Sequence, residues 1–133
     1  KIDKTICFFK SDLLKNKKLI NNLTIQRCGN LIVLANLPYL SKEIYNVAPL
    51  DVKKYEPEFA LFSAKEGLAH YEKLFQQIKK LVTSHKLQVT SYLEINPEQK
   101  PALQKIVRFI LPDAKFEFMM DLAGKWRVCK LIL

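Results

Sequence analysis

The chain reads as an α/β domain built on a mainly parallel sheet with an antiparallel edge. Three features carry that reading. Leu31–Ala35 (L-I-V-L-A) is an uninterrupted apolar run, the pattern of a strand buried on both faces of a parallel sheet. Gly67–Val82 places apolar residues at Leu68, Tyr71, Leu74, Phe75, Ile78, Leu81 and Val82, the spacing of an amphipathic helix. Strands and helices then alternate until two closing strands meet across Gly124.

Taken in order, Thr5–Phe9 is a β-branched and aromatic run that predicts a strand, followed by Ser11-Asp12-Leu13-Leu14. A polar, Asn- and Lys-rich loop leads through Gly29-Asn30 to Leu31–Ala35, which must end before Pro38 because proline has no N–H for the ladder. Leu40 to Ser63, with Pro49 and Pro57, predicts a long connection carrying short helical pieces. After the Gly67–Val82 helix come a strand at Gln88–Ile95 and a helix at Glu98–Leu111, with Leu103, Ile106, Val107 and Ile110 on one face. Lys115–Asp121 and Trp126–Leu133 form the terminal hairpin, with Gly at its turn.

A length of 133 residues suits one domain. No apolar run approaches the ~20 residues that span a bilayer, so no membrane role is expected. The first residue is Lys1 rather than Met, so the chain is expected to begin inside a longer product or after a removed segment. The formal charge of +9 favours an acidic partner such as RNA, DNA or a ribosome-associated protein. In sequence, however, Lys15, Lys17, Lys18, Lys53, Lys54, Lys79 and Lys80 are scattered and not interleaved with aromatics, the pattern of a solvated surface. Cys7, Cys28 and Cys129 are odd in number and far apart, which argues against a disulfide framework or a zinc site and for the cytoplasm. Cys7 and Cys129 lie in strand-like runs and read as small core residues. His70 and His85 read as solvated surface.

The chemistry lies at Asn36-Leu37-Pro38-Tyr39. Ligands of open α/β sheets bind at the carboxyl ends of the strands, and this tetrapeptide ends one. It resembles the N-(P/L)-P-Y signature of methyltransferases that act on planar nitrogens, namely the amino groups of adenine and cytosine and the side-chain amide of glutamine. A conjugated nitrogen is a poor nucleophile because its lone pair is delocalised. Accepting its two N–H bonds, one on the Asn36 side-chain oxygen and one on the Leu37 carbonyl, orients it and stabilises the charge that develops. Pro38 stiffens the turn, and Tyr39 is placed to lie against a flat acceptor group. The Leu37 carbonyl is available whether that residue is Leu or Pro.

Further matches narrow the family. Tyr55-Glu56-Pro57, Ala60-Leu61 and Gly67-Leu68 followed by Tyr71 resemble Y-E-P-x-x-A-L-x-x-x-x-x-G-L-x-x-Y of the release-factor (protein-glutamine) N-methyltransferases. Leu93-Glu94-Ile95 with Gln99 resembles their L-E-I-x-x-x-Q. Asp121, Gly124, Arg127 and Val128 resemble the closing D-x-x-G-x-x-R-V, and Ser11-Asp12-Leu13 the (G/S)-D-(L/W) that ends the preceding strand. The resemblance covers essentially the whole chain. It implies that residues 1–133 are the C-terminal part of a class I (Rossmann-like) S-adenosylmethionine-dependent methyltransferase domain. It implies catalytic and substrate-binding roles for Asn36, Leu37, Pro38 and Tyr39, donor contacts from Asp12, Leu13 and Asn36, and a release factor modified at the glutamine of a Gly-Gly-Gln motif. Beside the resemblance, structural readings hold for single residues: Glu56 and Pro57 fix a loop, Gly67 starts or permits a tight approach before the helix, Glu94 contacts the site loop or caps the next helix, and Arg127 pairs with a carboxylate rather than with substrate.

The glycine-rich donor loop is absent: Gly29, Gly67 and Gly124 are isolated. So is the family's helical N-terminal domain. In the sheet order the resemblance implies, 3-2-1-4-5-7-6, the missing first strand would lie beside Leu31–Ala35. That edge is therefore expected to be covered by Thr5–Phe9, by another copy of the chain or by an N-terminal polypeptide, and the isolated chain to bind donor weakly and turn over poorly. Two further functions stay open: methylation of amino groups in DNA or RNA, and a non-catalytic interaction module.

Overall fold

The structure, a computed structural model, describes residues 7–25 and 29–133. Four strands, β1 (Asn30–Ala35), β2 (Gln88–Glu94), β3 (Lys115–Met120) and β4 (Trp126–Ile132), form one sheet in the order β1-β2-β4-β3. This is the order 4-5-7-6 that the resemblance implies. β1 and β2 run parallel, with Leu31 opposite Val89 and Ala35 opposite Leu93. β4 is antiparallel to both β2 and β3. The expectation of a mainly parallel sheet is therefore corrected: the sheet is mixed and mostly antiparallel. β1 to β2 and β2 to β3 each run through helices, but β4 returns from β3 by a tight turn and lies between β2 and β3, antiparallel to both, so β1–β2 is left as the parallel pairing.

One face of the sheet buries Val33, Val89, Leu93, Cys129 and Leu131. Helix α6 (Ala69–His85) covers it with Tyr71, Leu74, Phe75, Ile78 and Leu81, and helix α7 (Lys100–Ile110) with Leu103 and Val107. Each such side chain contributes about 1.5–3 kcal/mol on burial, so the α6 stripe predicted from spacing is the main tie between helix and sheet. α7 is entered through a 3-10 turn at Pro97–Gln99, closed by a capping box. In it the Asn96 side chain accepts from the Glu98 N–H, and the Asn96 N–H donates to Gln99 Oε1, both at 3.2 Å. Pro97 fits there because the first position of a helix leaves its N–H unused.

The Asn- and Lys-rich segment read as a loop contains helix α1 (Lys17–Ile25). Its start was legible in Asn16, whose Oδ1 accepts from the N–H groups of Lys18 and Leu19, as a helix N-cap does. The long connection does hold short helices: α2 (Lys42–Val47), α3 (Leu50–Tyr55), α4 (Glu58–Leu61) and the single distorted turn α5 (Ala64–Gly67). The expected first strand, Thr5–Phe9, falls partly outside the described residues. Its described part, Cys7–Phe9, is irregular, and Phe8 is 94% exposed. Cys7 is likewise exposed rather than core, Cys129 is buried as expected, and Cys28 lies outside the described residues.

The described part of the Thr5–Phe9 run, Cys7–Phe9, does not pair with β1. Among the described residues no strand pairs with the outer edge of β1, and Ile32 and Leu34, on the sheet face away from α6, are 66% and 76% exposed.

Candidate functional site

The turn that follows β1 is held from three sides. Leu37 buries its side chain in the core, which leaves Asn36 exposed at the sheet's carboxyl end. Beyond Pro38 the chain pairs with the α4–α5 junction, Leu40 donating to the Leu61 carbonyl at 2.9 Å and accepting from Ser63 N–H at 3.0 Å. Gln99 Nε2 donates to the carbonyls of Tyr39 (3.1 Å) and Glu66 (3.2 Å), tying the turn to α5.

Gly67 makes this possible. Its φ is +82°, and a Cβ there would lie 2.0 Å from the Tyr39 carbonyl oxygen and 2.4 Å from Gln99 Nε2. Lys65 and Glu66 before it are also left-handed, at φ 56° and 55°. Non-glycine residues in that region are strained by roughly 1 kcal/mol or more each, and such strain is retained where it sets a backbone in a required place. Here it brings the peptide of Gly67 against that of Tyr39.

Tyr39 is half-buried, and its hydroxyl donates to Glu94 Oε1 at 3.4 Å. Burial first, and the Glu94 carboxylate second, raise its pKa above the ordinary phenol value. Tyr71 donates its hydroxyl to the Glu94 main-chain carbonyl. Its pKa also rises, mainly through burial and then through Tyr39 and Glu94. Both phenols therefore stay protonated donors at neutral pH. Glu94 contacts the site loop, and the cap of the next helical segment falls to Asn96.

Asn36, Leu37, Tyr39 and Leu40 from the turn, with Glu56, Ala60 and Leu61 from the long connection, line a cavity of about 270 Å³. No described residue hydrogen-bonds the Asn36 amide, which leaves its oxygen able to accept from an external N–H. Pro38 is half-buried and does not line the cavity. Glu56 and Pro57 join α3 to α4, with the Glu56 N–H donating to the Val52 carbonyl. The Glu56 side chain in the cavity wall was not anticipated. Tyr39 also borders a second cavity of about 460 Å³, whose lining includes Glu43, Glu66 and Glu98.

Asp12 and Leu13 sit elsewhere. The Asp12 carboxylate pairs with Lys73 on α6, which holds its pKa below the usual range, and its carbonyl accepts from Gln77 Nε2. Leu13 packs at the edge of the core with φ 56°. Neither lines the Asn36 cavity. Arg127 pairs with Asp121 across the hairpin, Nε to Oδ2 at 3.0 Å. His70 is not free surface: its Nδ1 lies 2.9 Å from the Oγ of buried Ser63, a tie between α6 and the α4–α5 junction. Among the described residues no cluster of three or more His, Cys, Asp or Glu side chains is arranged to hold a metal, and no helix is long and apolar enough to cross a membrane.

No family model matches the chain. Curated relatives do. It is 36% identical over 120 residues to the release factor glutamine methyltransferase of Clostridium botulinum, covering 88% of this chain and 40% of that protein. It is 34% identical over 98 residues to the protein of that name from Lactococcus lactis, covering 73% and 35%. It is 30% identical over 97 residues to the one from Enterococcus faecalis, covering 73% and 34%. The chain thus spans only about a third of the length of the curated relatives it matches. Matches across most of the chain, to several relatives that share one name, make it a member of the release factor glutamine methyltransferase family.

Proposed function

We propose that the chain is the acceptor-side part of a class I (Rossmann-like) S-adenosylmethionine-dependent methyltransferase domain acting in the cytoplasm, and that it presents the side-chain amide of the Gly-Gly-Gln glutamine of a peptide chain release factor. The observation that carries this is Asn36, exposed at the end of β1 in a cavity, its amide oxygen engaged by no described residue. Asn36 Oδ1 and the Leu37 carbonyl accept the two N–H bonds of the bound amide and hold its nitrogen facing outward. Pro38 limits the turn's motion. Tyr39, anchored by Glu94, supports the flat group from the side.

The described residues do not by themselves fit the donor. Asp12 is committed to Lys73, and the one close backbone approach built on a glycine, at Gly67, is filled by the Tyr39 peptide. The edge of β1 that no described strand pairs, with exposed Ile32 and Leu34, supports completion of the domain by further polypeptide carrying the donor surface. The chain alone should then bind donor weakly. Calorimetry giving micromolar affinity would contradict that dependence.

The charge around the site favours a protein acceptor over DNA or RNA. Glu56 lines the Asn36 cavity, and Glu43, Glu66 and Glu98 line its neighbour, an arrangement that repels phosphates. Tyr55 and Phe59, 75% and 80% exposed on the connection that walls the cavity, offer apolar contact to a folded partner. The test is methyl transfer by the completed domain, offered in parallel a Gly-Gly-Gln release factor and adenine- or cytosine-containing oligonucleotides. Methylation at that glutamine is expected, and methylation of the oligonucleotides alone would replace this reading with the nucleic-acid one.

A further inference from the structure

We infer that the surface between α1 and α6, at the far end of α6 from the Asn36 turn, is a docking surface for a single-stranded polynucleotide. In sequence the lysines look scattered; folding brings Lys10, Lys15, Lys17, Lys18 and Lys80 to adjoining cavities. From Lys10 to Lys18 and from Lys73 to Lys86 there are eight lysines and one carboxylate, Asp12, so these two stretches hold seven of the nine net positive charges. Asp12 is neutralised by Lys73. Two adjoining cavities flank α1, the first against α6 and the second against residues 8–10. One, of about 380 Å³, has Lys15, Lys17, Lys80 and His85 around an apolar floor of Leu14, Ile20 and Leu81. The other, of about 550 Å³, is bordered by Phe8, Phe9, Lys10, Lys17 and Lys18. Lys17 belongs to both, and neither lining contains a carboxylate. None of the ion pairs among the described residues engages Lys10, Lys15, Lys17, Lys18 or Lys80.

The chemistry selects the occupant. A row of cationic side chains neutralises a phosphodiester backbone, and exposed aromatic rings beside that row stack on bases. Phe8, 94% exposed, and the half-buried Phe9 supply such rings next to Lys10, Lys17 and Lys18. An acidic protein segment would use the charges but leave the rings without a flat partner. The surface is also independent of the methylation site. α6 has 17 residues and so is about 25 Å long; Tyr71 reaches Glu94 at one end, while Lys80 and His85 lie towards the other. The two regions share no cavity-lining residue.

Fluorescence anisotropy with labelled twelve-residue oligo(U) and oligo(dT) tests this. Engagement of four phosphates gives a log–log salt slope near about −2.8, so raising salt from roughly 50 to 200 mM weakens binding roughly fiftyfold. Lys17→Ala with Lys80→Ala should flatten the slope by about 1.4. Phe8→Ala should weaken binding roughly tenfold without altering the slope. Circular dichroism establishes that the variants are folded. Binding of both oligonucleotides alike places recognition in the backbone and base faces, as proposed. Competition by polyglutamate as effective as by unlabelled oligonucleotide, or binding unmoved by these substitutions, would overturn the proposal. Either result leaves the methylation reading standing.

Discussion

Gly67→Ala is predicted to be the most damaging of the three glycine-to-alanine changes. The new Cβ would stand 2.0 Å from the Tyr39 carbonyl oxygen, where ordinary contact begins at 3.4 Å, so backbone must retreat by about 1.4 Å. The left-handed φ of +82° adds about 1 kcal/mol for any residue with a Cβ. Gln99 Nε2, 2.4 Å from the same Cβ, must leave the carbonyls of Tyr39 and Glu66, forfeiting two hydrogen bonds of about 1 kcal/mol each. The sum is about 3 kcal/mol, a large share of the ~5–15 kcal/mol that holds a domain together. In urea, with a slope near about 1.5 kcal/mol per molar, the midpoint should fall by about 2 M. Two internal controls calibrate the result. Gly124 has φ +73° but open space around its Cβ position, so Gly124→Ala should lose only about 1 kcal/mol. Gly29 has neither constraint, and Gly29→Ala should stay within about 0.5 kcal/mol. If Gly67→Ala unfolds at the same urea concentration as Gly124→Ala, the close approach of Gly67 to the site turn is wrong.

Other expectations follow from the same contacts. Gln99→Ala removes both carbonyl ties and half of the Asn96 capping box, and should lose about 2–3 kcal/mol in the same urea experiment; a loss under about 1 kcal/mol would argue that the side chain is dispensable. Tyr71→Phe leaves the Glu94 carbonyl without its donor and should lose about 1–2 kcal/mol, with a native near-ultraviolet spectrum retained. Burial pushes the Cys129 thiol up from 9.0 to about 12. Below pH 9.0 the thiol is protonated in both states and its contribution is complete. Above that pH the unfolded chain ionises first, so stability falls as pH rises towards 12, by up to about 1.4 kcal/mol per pH unit. Cys129→Ala should be less stable at pH 8 yet show a shallower alkaline decline, and an unchanged decline would assign it to other groups.

The sequence carried the fold well where one physical rule decided an element. The spacing of Leu74, Ile78 and Leu81 found α6, and Pro38 ended β1. It failed where tertiary pairing decided. The Leu31–Ala35 run was the pattern of a strand covered on both faces, yet the described residues cover only one face, so the pattern stated what the strand needs rather than what this chain supplies. The sheet was read as mainly parallel because alternating elements suggested crossovers, but β4, joined to β3 by a tight hairpin, inserts between β2 and β3 antiparallel to both and leaves one parallel pairing. Within the site, Asn36 and Tyr39 were read from a strand-end position and the resemblance of their tetrapeptide, and the structure puts both on one cavity. In the clasp of Gly67, Glu94 and Gln99, a tight approach at the first and a loop contact or cap at the second were read from the sequence, but the ties made by Gln99 were not, because they depend on carbonyl groups brought together from positions 39 and 66. The lysine surface was missed because Lys17 and Lys80 become neighbours only when α1 docks on α6.

The most direct test of the account is Asn36→Ala in the completed methyltransferase domain, with turnover on a Gly-Gly-Gln substrate measured alongside urea stability. Asn36 is exposed and its amide makes no bond within the described structure, so stability should change by less than about 0.5 kcal/mol. Turnover should fall by roughly 10²-fold or more as one N–H acceptor is lost from the transition state. Turnover equal to that of the parent, in a protein equally stable, would remove Asn36 from the chemistry and the amide-gripping turn with it.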